Sequence, residues 1–189
     1  SKLDDEKRLG EILDEMRSRS RMRLEGASHS AAVARACSYF SPVRAFDDMT
    51  GGIEYFHFLE KTADAYSKDE KFRKELVRKL KETAEKLFAA DNLMVGYTAD
   101  EEGYKALPEE LKKFKAALSD KPSRRYAFEF VPELKNEGFK TSSKVNYVAR
   151  CGSFDAEAYT GALEVLKVIM NYEYLWQNLR VIGGAYGCM

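Results

Sequence analysis

Two side chains near the C-terminal end of the sequence have the chemistry to act together on a substrate carbonyl. Arg180 ends a long apolar helical pattern, and Tyr186 follows six residues later in the stretch RVIGGAYG. A guanidinium and a phenol that lie close together can donate hydrogen bonds to a peptide carbonyl as it becomes an oxyanion. Spacing alone also permits a structural alternative, in which a glycine caps the helix and a strand with a packed tyrosine follows.

The glycine pair inside this stretch permits an unusual backbone. Gly183 and Gly184 have no Cβ atom, so the chain can adopt a positive φ there and another chain can approach closely. We expect a strand to begin at these glycines. Because a half-made sheet would leave unpaired backbone groups at its edge, the simplest interpretation is a fragment of a longer protein.

A second motif, HFLEK at residues 57–61, resembles the inverted zinc motif H-x-x-E-H. Lys61 stands where the second histidine ligand would be, and an ammonium group repels a cation. His29, the other histidine of the sequence, lies in a different predicted helix. We interpret His57 as an ordinary helical histidine and predict no metal site in this chain.

Charge gives no support for nucleic acid or a membrane as partner. Thirty-one basic residues offset thirty-one acidic ones, so the chain has no net charge at pH 7. The arginine-rich tract RSRSRMR, residues 17–23, places alternate arginines around a helix axis instead of along one side. We interpret this tract as a solvated helix face. No apolar run approaches the about 20 residues of a membrane span.

The cysteines indicate a reducing compartment. Cys37, Cys151 and Cys188 are odd in number and far apart in the sequence, which argues against a disulfide framework. We therefore expect a cytoplasmic protein, or one of an organellar matrix if its source is eukaryotic.

Apolar periodicity predicts mostly helices and a few short strands, which makes the fold class α+β. Helices are expected at residues 4–24, from Ser28, at 52–66, from a capping box at Ser67 and Glu70, from Thr98 with a restart at Pro108, and at 156–179 as a largely buried helix. Short strands are expected at 93–97, in RYAFEFV (Tyr126, Phe128, Phe130) and in KVNYVARC (Val145, Tyr147, Ala149).

The polar segment Ser119 to Arg125 is the candidate domain boundary, because it combines proline, serine and charge without apolar periodicity. We expect residues 1–118 to form the helical end of one domain. Residues 119–189 would begin the next domain and stop after the GGAYG strand.

Three stretches resemble the presequence proteases, members of the pitrilysin and insulinase class of inverted zinc peptidases. YTGALEVLKVIMNYEYLWQNLRVIGGAYG, residues 159–187, is similar to the helix and glycine-rich strand of their C-terminal half, and KVNYVARCGSF is similar to the strand before it. GASHSAAVARACSYFSPVRAFDDMTGGIEYFHFLEK, residues 26–61, resembles the helical region associated with the same half.

The resemblance implies a large peptidase whose two halves close around a chamber and degrade unfolded peptides. Its N-terminal half would hold zinc through H-x-x-E-H and a later glutamate, and nothing in this chain matches those ligands. Arg180 and Tyr186 match the arginine and tyrosine that reach the substrate, and Gly183, Gly184 and Gly187 match the glycines that bind it. The chain alone would then be inactive. The alternative is a non-catalytic scaffold that binds peptides or a partner.

Overall fold

The structure, a computed structural model, describes residues 3–122, 126–127, 129–131 and 133–188. The chain forms two compact units, Ser1–Cys151 and Gly152–Met189. The helices of the first unit are α1 (Glu6–Gly26), α2 (Ser28–Ser38), α3 (Pro42–Gly51), α4 (Ile53–Lys68), α5 (Glu70–Leu87) and α6 (Glu101–Ala116). The second unit contains a 3₁₀ turn (Ala156–Ala158), helix α7 (Gly161–Ile169) and a π-helical segment (Met170–Ile182) that continues it.

Helix α4 lies at the centre of the first unit, where it packs against α1, α3 and α5. Leu59, Ala63 and Tyr66 follow one another at helical spacing and are all buried, Leu59 to 2% exposure. Leu13 of α1 packs against Ala63 and Tyr66. The Tyr66 hydroxyl donates a hydrogen bond to the backbone oxygen of Glu6 at 2.9 Å, which satisfies the one polar atom of this buried side chain.

Aspartates cap two helices where the sequence predicts a serine and a threonine. Asp69 accepts hydrogen bonds from two backbone amides in the first turn of α5, whereas the Ser67 hydroxyl donates to a carbonyl of α4. The Asp100 side chain accepts one hydrogen bond, from the Gly103 amide in the first turn of α6, and α6 runs through Pro108 without restarting there. The capping residues predicted at Ser67 and Thr98 are therefore wrong, because a carboxylate nearer to the helix start takes the free amides.

The strand part of the predicted α+β class is wrong for the part of the chain that the structure describes. The structure contains no strand at residues 93–97, 126–127, 129–131 and 145–149, and Met94 is 94% exposed. Phe128, predicted in the second strand, lies outside the described residues. Ala89 and Ser119 form an isolated bridge. An alternating sequence fits a strand, but a strand forms only when a second segment accepts its hydrogen bonds.

The predicted helix at residues 156–179 exists but is not buried within the second unit. It begins at Gly161, after a break at residues 159–160, and extends to Ile182. Val165 is 60% exposed and Ile182 78% exposed. The prediction of burial is therefore wrong for this unit, because a single helix has no second layer against which to bury an apolar surface.

The helix-rich character predicted from the sequence is confirmed. Residues 183–188, where the GGAYG strand is expected, form a turn and irregular backbone instead of a strand. The domain boundary expected at residues 119–125 stays a prediction. In the described part of the chain, no helix has both the length and the apolar character needed to span a membrane.

Candidate functional site

Arg180 and Tyr186 contact each other at the end of the π-helical segment. A guanidinium nitrogen of Arg180, Nη1, donates a hydrogen bond to the backbone oxygen of Tyr186. The guanidinium carbon lies 5.6 Å from the centre of the Tyr186 ring. Tyr186 is 89% exposed, so its ring and hydroxyl are accessible to a ligand. Arg180 and Tyr186, which the sequence suggests could act together, are thus neighbours. The Tyr186 side chain is exposed to solvent.

Trp176 supports Arg180 from one helical turn earlier. The Arg180 guanidinium carbon lies 4.5 Å from the Trp176 ring centre, which is the distance of a cation–π contact. The sequence predicted Trp176 only as one residue of the helix at 156–179. The spacing of four residues between a tryptophan and an arginine was the signal that would have found this contact.

The two glycines turn the chain back over the helix end. Gly184 has φ +70°, a conformation that glycine adopts without strain. The backbone amide of Gly183 donates to the Asn178 oxygen at 3.0 Å, and that of Gly184 donates to the Arg180 oxygen at 3.1 Å. A Cβ atom on Gly183 would lie 2.8 Å from the Leu179 oxygen, so no larger residue fits.

This turn is the glycine cap of the structural alternative, and it is also the feature that brings Tyr186 to Arg180. A Cβ atom at Gly187 would meet no heavy atom within 4 Å, so the surface beside Tyr186 is open. The cap and an oxyanion-binding role are compatible, since the cap occupies backbone groups and leaves the Tyr186 hydroxyl accessible.

His57 is an ordinary helical histidine that contacts an acid on its own helix. Its Nδ1 atom lies 3.6 Å from Glu60 Oε2, and the other oxygen of Glu60 accepts a hydrogen bond from Arg21 at 2.8 Å. Over the described ranges, no group of three or more His, Cys, Asp or Glu side chains is placed to hold a metal ion.

The arginines of the RSRSRMR tract contact groups of the same chain. Arg17 binds Asp64 of α4 at 3.1 Å and Asp14 at 2.8 Å. The other contacts are Arg19 with Glu15, Arg21 with Glu60, and Arg23 with the Gly51 carbonyl. Much of the positive charge of this tract is therefore offset by nearby acids, and the absence of nucleic-acid binding stays a prediction.

Sequence reasoning missed a cluster of charges around Arg35. Arg35 Nη1 lies 2.5 Å from Asp48 Oδ2, and its Nε and Nη2 atoms donate to both carboxylate oxygens of Glu137 at 2.7 and 3.0 Å. The Tyr39 hydroxyl also donates to Glu137. No local pattern could have found this cluster, because Glu137 lies 102 positions after Arg35.

The cluster changes how its members titrate. Hydrogen bonding from Arg35 lowers the pKa of Glu137 to about 2, and the Tyr39 hydroxyl adds to this effect. Burial, followed by the hydrogen bond to Glu137, raises the pKa of Tyr39 to about 12. The same contact with Glu137 raises the pKa of Arg35. At neutral pH, Glu137 is a carboxylate that binds an arginine through two bonds.

We expect Glu137 to stabilise the first unit at neutral pH and to lose this effect in acid. Its pKa is lower in the folded chain than the ordinary value of 4.5, so its contribution is complete above pH 4.5 and disappears as the pH falls toward about 2. Urea unfolding at pH 7, 5 and 3, followed by circular dichroism, should show a stability difference between the native chain and Glu137→Gln that shrinks at pH 3.

Glu133 is the matched control for this measurement. Its side chain is 74% exposed and pairs with Lys135, so Glu133→Gln should leave unfolding nearly unchanged at each pH. A difference between Glu137→Gln and the native chain that is the same at pH 7 and pH 3 would refute the role of Glu137.

Comparisons with known proteins give two kinds of match. Residues 1–61 match the family model described as peptidase M16C associated. The chain is 30% identical to Protein HypA of Clostridium perfringens over 187 residues, which are 98% of this chain and 19% of that protein. It is 27% identical to presequence protease 1, chloroplastic/mitochondrial, of Arabidopsis thaliana, over 97% of this chain and 17% of that protein.

A third relative is presequence protease, mitochondrial, of Kluyveromyces lactis, 27% identical over 84% of this chain and 17% of that protein. The chain therefore spans about a fifth of the length of the curated relatives that it matches. No solved structure gives a significant match. These matches confirm the resemblance that residues 26–61 and 159–187 indicated.

Proposed function

Because this chain is presequence protease-like over nearly its whole length, we propose that it is a segment of a zinc-dependent metalloendopeptidase that degrades unfolded peptides. In this proposal, its partner is the N-terminal half of the same peptidase, and the two halves enclose a chamber. The observation that carries the proposal is the contact between Arg180 and Tyr186 at an open glycine turn.

The residues of this chain do not fit a zinc site, since its described residues offer no group of three ligands. The proposal therefore assigns the zinc ligands to the N-terminal half. Arg180 and Tyr186 would supply hydrogen bonds to the substrate carbonyl oxygen as it gains negative charge. Trp176 and the Tyr186 carbonyl would hold the guanidinium in place, so that little reorganisation is needed when the substrate binds.

In this proposal, Gly184 and Gly187 would bind the substrate through the space that their missing side chains leave, and Gly183 would allow the tight turn that places them there. A Cβ atom at Gly184 or Gly187 would meet no heavy atom within 4 Å, so a bound peptide can approach the backbone there. The substrate class is an unfolded peptide, including targeting peptides if the longer protein resides in an organelle, as the names of two relatives suggest for those proteins. The alternative location is the cytoplasm.

The test is a peptidase assay of the longer protein that contains this segment. A quenched fluorogenic peptide should be cleaved, a chelator should abolish cleavage, and added zinc should restore it. The second candidate is a non-catalytic scaffold that binds peptides or a partner subunit. Fluorescence anisotropy that shows peptide binding without any chelator-sensitive turnover would favour the scaffold.

We further expect this chain alone to hold no stoichiometric zinc and to cleave no peptide. A catalytic zinc site needs three protein ligands, and the histidines His29 and His57 belong to different helices. Elemental analysis of the purified chain and the same fluorogenic assay provide the measurement. One bound zinc per chain together with chelator-sensitive turnover would show that the chain carries a complete active site.

A further inference from the structure

Cys37 and Cys151 lie side by side in the first unit, although they are 114 positions apart in the sequence. Their Sγ atoms are 2.9 Å apart, and both are free, half-buried thiols. Cys37 belongs to α2, and Cys151 is the last residue of the first unit, at the end of segment 133–151, which has no helix or strand. The Cys151 thiol also lies 3.9 Å from the backbone oxygen of Val33 on α2.

Other side chains of segment 133–151 contact α2 and α4. Glu137 accepts two hydrogen bonds from Arg35 of α2. Farther along the segment, the Phe139 ring centre lies 6.3 Å from that of His57, and the Tyr147 ring centre lies 5.9 Å from that of His29. The position of Cys151 therefore rests on several contacts along the segment and not on the thiol pair alone.

We propose that Cys37 and Cys151 form a redox pair, which a low-molecular-mass disulfide such as oxidised glutathione converts reversibly to an intramolecular disulfide. The pair is a modification site that goes beyond the proposed peptidase function and does not depend on it. In the reduced state, the two thiols contribute only a weak hydrogen bond. In the oxidised state, segment 133–151 is joined covalently to α2.

The reaction needs no oxidant other than the small disulfide. The thiolate of one cysteine attacks a sulfur atom of glutathione disulfide, the S–S bond breaks, and one glutathione leaves as a thiol after taking a proton. The thiolate of the second cysteine then attacks the protein-bound sulfur and displaces the second glutathione. The pair loses two protons and two electrons, and glutathione disulfide is reduced to two thiols.

Burial and the hydrogen bond from Cys37 raise the pKa of Cys151 to about 11. The thiolate fraction of Cys151 is therefore small at neutral pH and increases as the pH rises. Because thiolates are the attacking groups in exchange, we expect the disulfide to form faster at pH 9 than at pH 7.

The test is oxidation of the native chain with glutathione disulfide, followed by alkylation, proteolysis and mass spectrometry. Cys37 and Cys151 should lose their free thiols together, and the crosslinked peptides should be those that contain these two residues, whereas Cys188 has no further thiol to pair with and takes up at most one glutathione. Dithiothreitol should restore all three thiols. Cys188→Ser should form the same crosslink, since Cys188 takes no part in it.

The same oxidation in concentrated urea tests whether the crosslink between Cys37 and Cys151 depends on the folded structure. In the unfolded chain, loop closure favours the shorter loop between Cys151 and Cys188 over the longer loop between Cys37 and Cys151. The native chain should reverse this preference. Stable glutathione adducts on Cys37 and Cys151, or the same crosslinks with and without urea, would overturn the proposal.

Discussion

Tyr186→Phe and Arg180→Lys are each expected to lower kcat of the proposed longer peptidase by roughly 10²-fold, the typical cost of removing one oxyanion donor. Tyr186→Phe keeps the ring and removes only the hydroxyl. Arg180→Lys keeps the charge but removes the planar group that lies over Trp176 and donates to the Tyr186 carbonyl. Steady-state kinetics with a fluorogenic peptide measure both effects.

Four controls separate a role in catalysis from damage to the fold. Zinc content and melting temperature should stay nearly unchanged in both variants. Tyr172→Phe, at a tyrosine 74% exposed on the same helix, should keep the native kcat. In this chain Trp176 is the single tryptophan, so the fluorescence of the chain reports directly on the surroundings of Arg180.

If both Tyr186→Phe and Arg180→Lys keep the native kcat, the RVIGGAYG stretch acts only as a helix cap and its proposed role in catalysis is wrong. If both variants lose activity because zinc is lost or the protein melts, the two side chains are structural and the proposed role fails as well. Loss of kcat at constant zinc content and stability is the outcome that supports the proposal.

Arg35→Met is expected to destabilise the first unit by about 3–5 kcal/mol, the usual cost of leaving one member of a buried ion pair alone. The Asp48 side chain is 4% exposed, and its Oδ2 atom faces the Arg35 guanidinium at 2.5 Å. Its Oδ1 atom accepts a hydrogen bond from the backbone amide of Ile53 at 2.9 Å, at the start of α4. Asp48 cannot move toward water without breaking that bond.

Gly52 lies directly against Asp48. A Cβ atom on Gly52 would lie 2.8 Å from the Cα atom of Asp48, so the turn between α3 and α4 brings the two backbones close together. Methionine fills part of the space of the arginine side chain and carries no charge. The decrease in the free energy of unfolding would therefore come mainly from the Asp48 carboxylate, which is left buried without a positive partner.

Urea unfolding monitored by circular dichroism measures the effect, and Arg44→Met is its matched control. Arg44 pairs with Asp47 on the surface of α3, where the two side chains are 59% and 55% exposed, so its loss should cost less than about 1 kcal/mol. Adding Asp48→Asn to Arg35→Met removes the buried charge and should recover part of the stability. Equal stability of Arg35→Met and Arg44→Met would contradict this account.

The sequence predicted the features that depend on residues close together in the chain. Most of the helices follow from apolar spacing, although α3 was not predicted, and the turn at Gly183 and Gly184 follows from the absence of a Cβ atom. The contact between Arg180 and Tyr186 joins residues six positions apart across that turn. A helix end and a glycine turn fix such a short path, so a local pattern is sufficient to predict it.

The exact caps were less predictable, because several polar residues compete for the same amides. Ser67 and Asp69 both lie close enough to the start of α5 to cap it, and only the geometry of the preceding helix shows that Asp69 does so. The buried strand predicted at residues 93–97 failed for a related reason. Its apolar residues fit a strand, but its hydrogen-bond partners depend on the path of another segment.

Only the tertiary structure decided which distant side chains meet. Arg35 and Glu137 are 102 positions apart, and Cys37 and Cys151 are 114 positions apart, with no motif that connects them. Segment 133–151 has no helix or strand of its own, so no periodicity predicts its path across α2 and α4. Local propensities act within a few residues, whereas such contacts depend on how all the helices pack. That packing is determined by the whole sequence and by no single local pattern.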